Sequence, residues 1–398
     1  MYNVYCRTYQ TIFKVASGFL PWREPKLLEG EGSIGKLPQE ISQRGIKSVL
    51  LVTDKGIASL GLMNGLCAGL ENAGIQYAIY DKTVPNPTID NIEEALKLYK
   101  ENNCQGIIAF GGGSPMDCAK GVGARVANPH KTIPQMKGLL KVRKKIPPLF
   151  AIPTTAGTGS EATVAAVITN SATHEKYPVN DLVLIPHVAV LDPTLTVGLP
   201  PHITSTTGMD ALTHAVEAYI GRSNTDQTRE LSRKAIKLIF ENIEEAYANG
   251  TNLTARYNMQ KAAYYAGVAF TRAYVGYVHA LAHQLGGFYN TPHGLANAVL
   301  LPYVLEYYGE SAYKPLAECA DLVGITNSSD TLEEKAHCFI EAIRKLNRNM
   351  NIPEKIDGIQ EKDIPLMVER ALQEANPTYP VPRILNKEDL AKLYRMIS

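Results

Sequence analysis

The stretch Gln105-Gly-Ile-Ile-Ala-Phe-Gly-Gly-Gly-Ser-Pro-Met-Asp-Cys-Ala-Lys120 decides how this chain folds. It opens as a short apolar run of strand length and meets a glycine run that admits a sharp turn. Ser114, Pro115 and Asp117 then have the S-x-x-D form of a helix start, with proline suited to the first helical position. A strand that passes through glycines into a helix is the joint of a βαβ unit. The same alternation extends outward. Lys47-Ser-Val-Leu-Leu-Val-Thr-Asp54 reads as a buried strand, residues 57–72 have helical spacing, and Gln76-Tyr-Ala-Ile-Tyr80 reads as the next strand. Downstream, strand-like runs recur at Pro148-Leu-Phe-Ala-Ile152, Thr163-Val-Ala-Ala-Val-Ile-Thr169, Leu182-Val-Leu-Ile185 and Val188-Ala-Val-Leu191. The pattern predicts a parallel sheet with covering helices.

Composition changes near Gly198-Leu-Pro-Pro201. Beyond it β-branched runs disappear, and helical periodicity over 208–220, 226–247, 256–270, 295–308, 331–347 and 386–397 predicts an all-helical half. The expected division is an α/β domain over 1–199 and an all-α domain over 200–398. A length of 398 residues suits two cores better than one. The chain is 45% hydrophobic and 20% charged, as in globular proteins. A net charge of +1 gives no electrostatic reason for nucleic acid or an anionic membrane as partner. The apolar runs are strand-sized, too short to span a bilayer, and no signal-peptide pattern is read at the start. Six scattered cysteines without a C-x-x-C predict reduced thiols and a cytoplasmic location. The basic run Lys141-Val-Arg-Lys-Lys145 reads as a solvated loop.

Four of the nine histidines fall in two segments, Gly208-Met-Asp-Ala-Leu-Thr-His-Ala-Val-Glu-Ala-Tyr219 and Val278-His-Ala-Leu-Ala-His-Gln-Leu-Gly-Gly-Phe-Tyr-Asn-Thr-Pro-His-Gly294. Asp210 and His214 are spaced i, i+4 on a helical stretch, which puts their Cβ atoms about 5–6 Å apart on one face. His279 and His283 repeat that spacing. His293 follows Pro292, where a helix can start. A single Asp/His pair is more often a solvated face than a ligand pair, but two pairs plus His293 in Gly- and Ala-rich surroundings point to a metal. One carboxylate and imidazoles suit a divalent first-row ion, Fe²⁺ or Zn²⁺. Four ligands suffice and a catalytic ion needs an open position, so spacing alone leaves His279 and His283 as competitors.

The glycines after Phe110 lie between a strand and a helix N-terminus, a place that favours a phosphate, although G-x-G-x-x-G is absent. Pro153-Thr-Thr-Ala-Gly-Thr-Gly-Ser-Glu161 is a second loop after a strand, with hydroxyls and flexible backbone. Asp54 ends the first of these strands, where a carboxylate can accept from a ribose 2′-OH and repel a 2′-phosphate; the plainer reading is a helix cap.

Together these segments resemble the iron-containing (group III) alcohol dehydrogenases, and among them the lactaldehyde reductase/propanediol oxidoreductase type. The resemblance runs from about Leu27 onward and rests on Gly111-Gly-Gly-Ser-Pro-Met-Asp117, the 153–161 loop, Gly208 through His214, and His279 through Gly294. It implies an N-terminal Rossmann-like domain and a C-terminal all-helical domain of the dehydroquinate synthase-like fold, with an active site in the cleft between them. It implies Asp210, His214, His279 and His293 as metal ligands, and His283 near the nicotinamide in proton transfer. Nucleotide contacts carry over to Asp54, Asn86, Gly112, Gly113, Ser114, Thr154, Thr155, Thr158, Thr163, Val167 and Lys176, with Asp54 at the position that goes with NAD. Phe270 matches an aromatic lining the substrate pocket. Ala165 departs from the lactaldehyde type, which has a polar residue there facing substrate, and Asn376-Pro-Thr-Tyr-Pro-Val-Pro-Arg383 departs from its pocket wall. Phe19-Leu-Pro-Trp22 matches no motif, and the opening segment is expected to be a β arm or hairpin at a subunit contact of a homodimer.

The activity implied is reversible hydride transfer between NAD and a small primary alcohol or diol, giving the aldehyde, with Fe²⁺ as the ion and Zn²⁺ as the second choice. A zinc polyol dehydrogenase of the glycerol type, a dehydroquinate synthase-like lyase that retains its NAD, and a non-catalytic metal or nucleotide sensor are the competing readings.

Overall fold

The computed structural model describes every residue except His174. The chain forms two compact units, Pro21–Gly198 and a second made of Met1–Leu20 with Leu199–Ser398. The opening segment is a helix, α1 (Tyr2–Ser17), and not a β arm or hairpin. No glycine or proline interrupts it, and Cys6 and Gln10, one turn apart, form its buried face. It belongs to the helical unit, so the sheet unit begins at Pro21 and not at residue 1.

The sheet unit runs β1 (Lys26–Glu29), α2 (Leu37–Gln43), β2 (Ser48–Val52), α3 (Lys55–Ser59), α4 (Asn64–Asn72), β3 (Gln76–Tyr80), α5 (Ile89–Glu101), β4 (Gly106–Gly111), α6 (Gly113–Ala127), β5 (Gly138–Leu139), β6 (Leu149–Pro153), β7 (Ala165–Asn170), β8 (Glu175–Asn180) and β9 (Val188–Leu191). Six strands form one sheet in the order β1-β9-β6-β4-β2-β3, every pairing parallel. Strands β2, β4, β6 and β9 are buried at every residue, because a parallel sheet is covered on both faces. Alternate residues feed opposite cores: Leu50, Val52, Ile107 and Ala109 pack with α5 and α6, while Val49, Leu51, Ile108 and Phe110 pack with α2 and α4. A small second sheet has the order β5-β8-β7.

Two departures from the sequence expectation have local causes. Residues 182–185 are not a strand; Leu182–Leu184 is a 3₁₀ turn. Asp181 holds the turn by accepting from the N–H groups of Val142, Arg143 and Val183 at 3.0, 2.9 and 3.3 Å. Strands β1 and β8 went unpredicted because each carries charged or proline positions that break an apolar run.

The helical unit continues with α7 (Pro201–Ile220), α8 (Asp226–Ala248), α9 (Leu253–Ala273), α10 (Tyr277–Tyr289), α11 (His293–Tyr308), α12 (Glu310–Leu322), α13 (Leu332–Asn349), α14 (Ile364–Ala375) and α15 (Lys387–Met396). Helix α7 is buried nearly all round, as a central helix must be. Helices α8, α13 and α15 have one apolar face each and start with capping boxes at Thr225, Thr331 and Asn386. Helices α12 and α14 were not expected; Pro315 lies inside α12, where a proline argues against a helix. Among the described residues, no helix is long and apolar enough to cross a membrane.

The start of α11 touches the backbone of α7. A Cβ on Gly294 would lie 2.3 Å from the Thr206 carbonyl oxygen, whereas one on Gly287 would meet nothing within 4 Å. Gly294→Ala is therefore expected to lose about 3 kcal/mol through overpacking against unyielding backbone, while Gly287→Ala gains up to about 1 kcal/mol in helix propensity. Urea unfolding of both variants beside the parent checks the pair.

Candidate active site

Helix α7 carries Asp210 and His214, α10 carries His279, and α11 begins at His293. Their ligand atoms all lie within 4.8 Å of one another. His293 Nε2 and His279 Nε2 are 3.4 and 3.8 Å from Asp210 Oδ1. Donors about 2.1 Å from one tetrahedral ion would be about 3.4 Å apart, so the cage is of the right size for a first-row divalent metal. His279 Nε2 is buried and has no hydrogen-bond partner, as a nitrogen kept for an ion would be. Asp210, His214 and His279 are buried, while the His293 side chain is 31% exposed and marks the open side.

Glu217, two turns beyond Asp210 on α7, is the residue that sequence reasoning missed. Its Oε2 is 2.6 Å from His279 Nδ1 and accepts from Gly276 N at 2.8 Å. Its Oε1 accepts from Val278 N at 2.8 Å. One carboxylate thus caps the N-terminus of α10 and fixes the His279 ring with Nε2 turned to the cage, the usual carboxylate–histidine–metal arrangement. Gly276 is obligatory, since a Cβ there would sit 2.7 Å from Glu217 Oε1. The spacing Asp210, His214, Glu217 on one helix face was the available signal. Asn297 was also missed; its amide donates to Asp210 Oδ1 at 2.7 Å, one turn after His293.

The electrostatics favour a cation. Burial opposes ionisation of Asp210, but the facing His214, His293 and His279 hold its carboxyl well below the usual range. Burial likewise opposes charge on His279, yet Asp210 and Glu217 raise it to about 9. The Phe270 ring stacks on His214, centroids 4.1 Å apart. His283 is outside the four-ligand cage, with its ring stacked on His293 at 5.2 Å and its Nδ1 2.6 Å from Glu374 Oε1.

In the sheet unit, Asp54, the Gly112–Gly113–Ser114 turn and the Thr154–Thr158 loop follow the adjacent parallel strands β2, β4 and β6 at their carboxyl ends, where open α/β sheets bind ligands. Helix α6 starts two residues earlier than expected, with Gly112 at the cap, so Ser114 lies in its first turn and the S-x-x-D cap does not form. Gly111 has φ +143°, and a Cβ there would lie 2.7 Å from Pro115 Cγ. The Gly112 and Gly113 positions face Thr155 and Thr158, leaving the two loops side by side. Ser114 Oγ accepts from Asn86 N at 3.3 Å, and Asn86 Oδ1 accepts from Lys176 Nζ at 2.7 Å, so three of the expected contact residues meet. Asp54 Oδ1 caps α3 by accepting from Ile57 N at 2.9 Å.

A buried network fastens the second loop to α6. Lys120 Nζ donates to Ser160 Oγ, Thr163 Oγ1 and the Ala165 carbonyl at 2.9, 2.9 and 2.8 Å. Asp117 accepts from Ser160 Oγ and Val167 N, both at 3.0 Å. Thr163, Ala165 and Val167 are thus tied to α6. Burial lowers Lys120 to about 8 against the pull of Asp117 and Glu161. Burial also pushes Glu161 up to about 7, against its own backbone N–H and Lys120.

With this geometry in view, comparison with known proteins is specific. The family profile "Iron-containing alcohol dehydrogenase" matches residues 24–193, and "Fe-containing alcohol dehydrogenase family, C-terminal" matches residues 204–398. The chain belongs to the iron-containing alcohol dehydrogenase family. It is 40% identical to the 1,3-propanediol dehydrogenase of Klebsiella pneumoniae over 92% of this chain and 95% of that one. It is 38% identical to the lactaldehyde reductase of Escherichia coli (strain K12) over 92% and 96%. The crystal structure of a 1,3-propanediol oxidoreductase superposes with a TM-score of 0.92 at 38% identity, covering 96% of this chain and 100% of that one. The sulfoacetaldehyde reductase of Bifidobacterium kashiwanohense in complex with NAD⁺ superposes at 0.84 with 26% identity, covering 95% and 98%.

Two outcomes follow from the site's chemistry. Glu217→Ala frees the His279 ring and should weaken metal binding about 10–100-fold in a chelator competition. Glu161 has a folded value near 7 against an ordinary 4.5, so the stability it contributes is full below 4.5 and is lost as pH rises through 7. Glu161→Gln removes that loss; its stability relative to the parent should climb between pH 5 and pH 8, by up to about 3 kcal/mol in urea titrations.

Proposed function

We propose that this chain is an NAD-dependent, iron-dependent alcohol dehydrogenase that interconverts a small primary alcohol or diol and its aldehyde. The observation that carries the reading is the cage of Asp210, His214, His279 and His293 with His283 stacked on its open, His293 side. A divalent ion held by those four residues supplies Lewis-acid polarisation of the substrate oxygen. A carboxylate with imidazoles accommodates Fe²⁺ or Zn²⁺, and membership of the iron-containing family favours Fe²⁺.

The residues divide the remaining work. Phe270 covers His214 and gives the substrate an apolar wall, and Ala165 is assigned to the pocket as a small residue. His283, with Nδ1 committed to Glu374, has Nε2 available to pass the alcohol proton to solvent. Asp54 keeps one carboxylate oxygen on α3 and offers the other to a ribose 2′-OH, which favours NAD over NADP. Asn86, Gly112, Gly113, Ser114, Thr154, Thr155, Thr158, Thr163, Val167 and Lys176 complete the assigned nucleotide contacts, through backbone where Thr163 and Val167 are already tied to α6. The departure at Ala165 supports a substrate wider than lactaldehyde itself. All six cysteines are free, which supports a cytoplasmic location, and a homodimer belongs to the same reading.

The test is an NADH-linked screen of short alcohols, diols and aldehydes on protein purified anaerobically and reconstituted with Fe²⁺ or Zn²⁺. Net NADH formation from a simple alcohol is expected, and its absence with every alcohol at full metal loading would favour a lyase that recycles its NAD. Asp210→Ala and His293→Ala should lose metal and turnover together. His283→Ala should keep the metal and turn over about 100-fold more slowly.

A further inference from the structure

His283 is steered by groups that lie beyond the metal cage. Glu374, on α14, places Oε1 2.6 Å from His283 Nδ1. The same oxygen accepts from the Tyr379 hydroxyl at 2.9 Å, and Oε2 accepts from Gln284 Nε2 at 3.3 Å. The carboxylate therefore has a donor on each oxygen besides the imidazole and cannot turn away without losing them. Burial and the facing Glu374 raise the Tyr379 hydroxyl well above its ordinary value, so it stays a donor.

The segment that carries Tyr379 is itself clamped. Gln10 Nε2 donates to the Tyr379 carbonyl at 2.7 Å, and Arg7 donates from Nη1 to the Val381 carbonyl at 2.7 Å and from Nη2 to the Pro382 carbonyl at 2.8 Å. All of these donors come from α1. The segment is the one whose sequence departs from the lactaldehyde type, and α1 precedes the residues matched by the family profile.

We propose that Glu374 and Tyr379 are positioning residues for His283. A neutral imidazole carries one proton on either nitrogen, and a carboxylate at Nδ1 favours the Nδ1–H form through a charge-assisted hydrogen bond. That leaves the Nε2 lone pair facing away from Glu374, oriented to take the proton of an alcohol and return it in the reverse direction. Tyr379 holds Glu374 in place, so the alignment of one imidazole depends on a clamp that starts at the N-terminus. The inference rests on His283 being the proton relay, and its test has an arm independent of that role.

The first arm is spectroscopic. In metal-free protein labelled with ¹⁵N-histidine, with His283→Ala used to assign the signals, His283 should show the Nδ1–H tautomer in the parent and move towards Nε2–H in Glu374→Ala. An unchanged signature overturns the proposal whatever the enzyme does. The second arm is kinetic, at equal metal content and with thermal melts to exclude misfolding. Glu374→Ala should lower kcat about tenfold or more with the KM for NAD unchanged, and Tyr379→Phe should lower it less. Glu374→Gln, which keeps an acceptor, should recover part of the loss. In the His283→Ala background, Glu374→Ala should cost less than about twofold, because both act through one ring. Equal losses in both backgrounds overturn the proposal. Full turnover in His283→Ala would instead refute the relay role, and the ¹⁵N signature would still decide the positioning.

Discussion

The carboxylate of Glu217 is the contact on which the helical unit's chemistry depends. It is 3% exposed, and a buried carboxylate costs several kcal/mol unless its lone pairs are taken up. Here the Gly276 and Val278 N–H groups and the His279 ring take them up. In return it locks α7 to the start of α10, which brings a ligand of α10 opposite Asp210 and His214. The close approach of Gly294 to Thr206 does the same for α11 and His293. These contacts between helices set the spacing of the four donors.

The sheet unit solves a related problem with opposite charge. Lys120 is fully buried and spends its donors on the loop between β6 and β7, while Asp117 on the same helix takes a hydroxyl and an N–H from that region. Hydroxyl- and glycine-rich loops are ordinarily mobile. Fastening this one to α6 through buried hydrogen bonds holds it in one conformation. The glycines of 111–113 serve the same end: they let strand, turn and the neighbouring threonines approach closely, and Gly111 takes a backbone angle closed to other residues.

Helix α1 adds a long-range element. By holding the main chain of 379–382 it holds Tyr379, which contacts Glu374, which contacts His283. Residues nearly the whole chain apart thereby share one hydrogen-bonded path, confined to the helical unit.

Much of this was legible in the sequence. Apolar runs of strand length gave away the buried strands β2, β4, β6 and β9, because a covered parallel sheet leaves no polar alternation to confuse. The i, i+4 pairs Asp210/His214 and His279/His283, with His293 beside a proline, marked a cluster because a helix repeats its faces by that spacing. Local rules failed where tertiary contacts override them. Ser114 does not cap α6 because the helix already starts at Gly113; Asp117 is drawn to Ser160 and Val167 instead; and 182–185 curls where Asp181 takes three N–H donors. Residue spacing determined that five side chains on the helices are candidate ligands, and that they surround a divalent ion's chemistry. Spacing left His283 among the candidates; the family resemblance set it apart, the structure places it outside the four-ligand cage, and only the tertiary structure supplied Glu217, Asn297, Glu374 and Tyr379 as partners. Such partners come from distant positions, and their pairing depends on which helices pack together, a matter of three-dimensional contact that no local periodicity encodes.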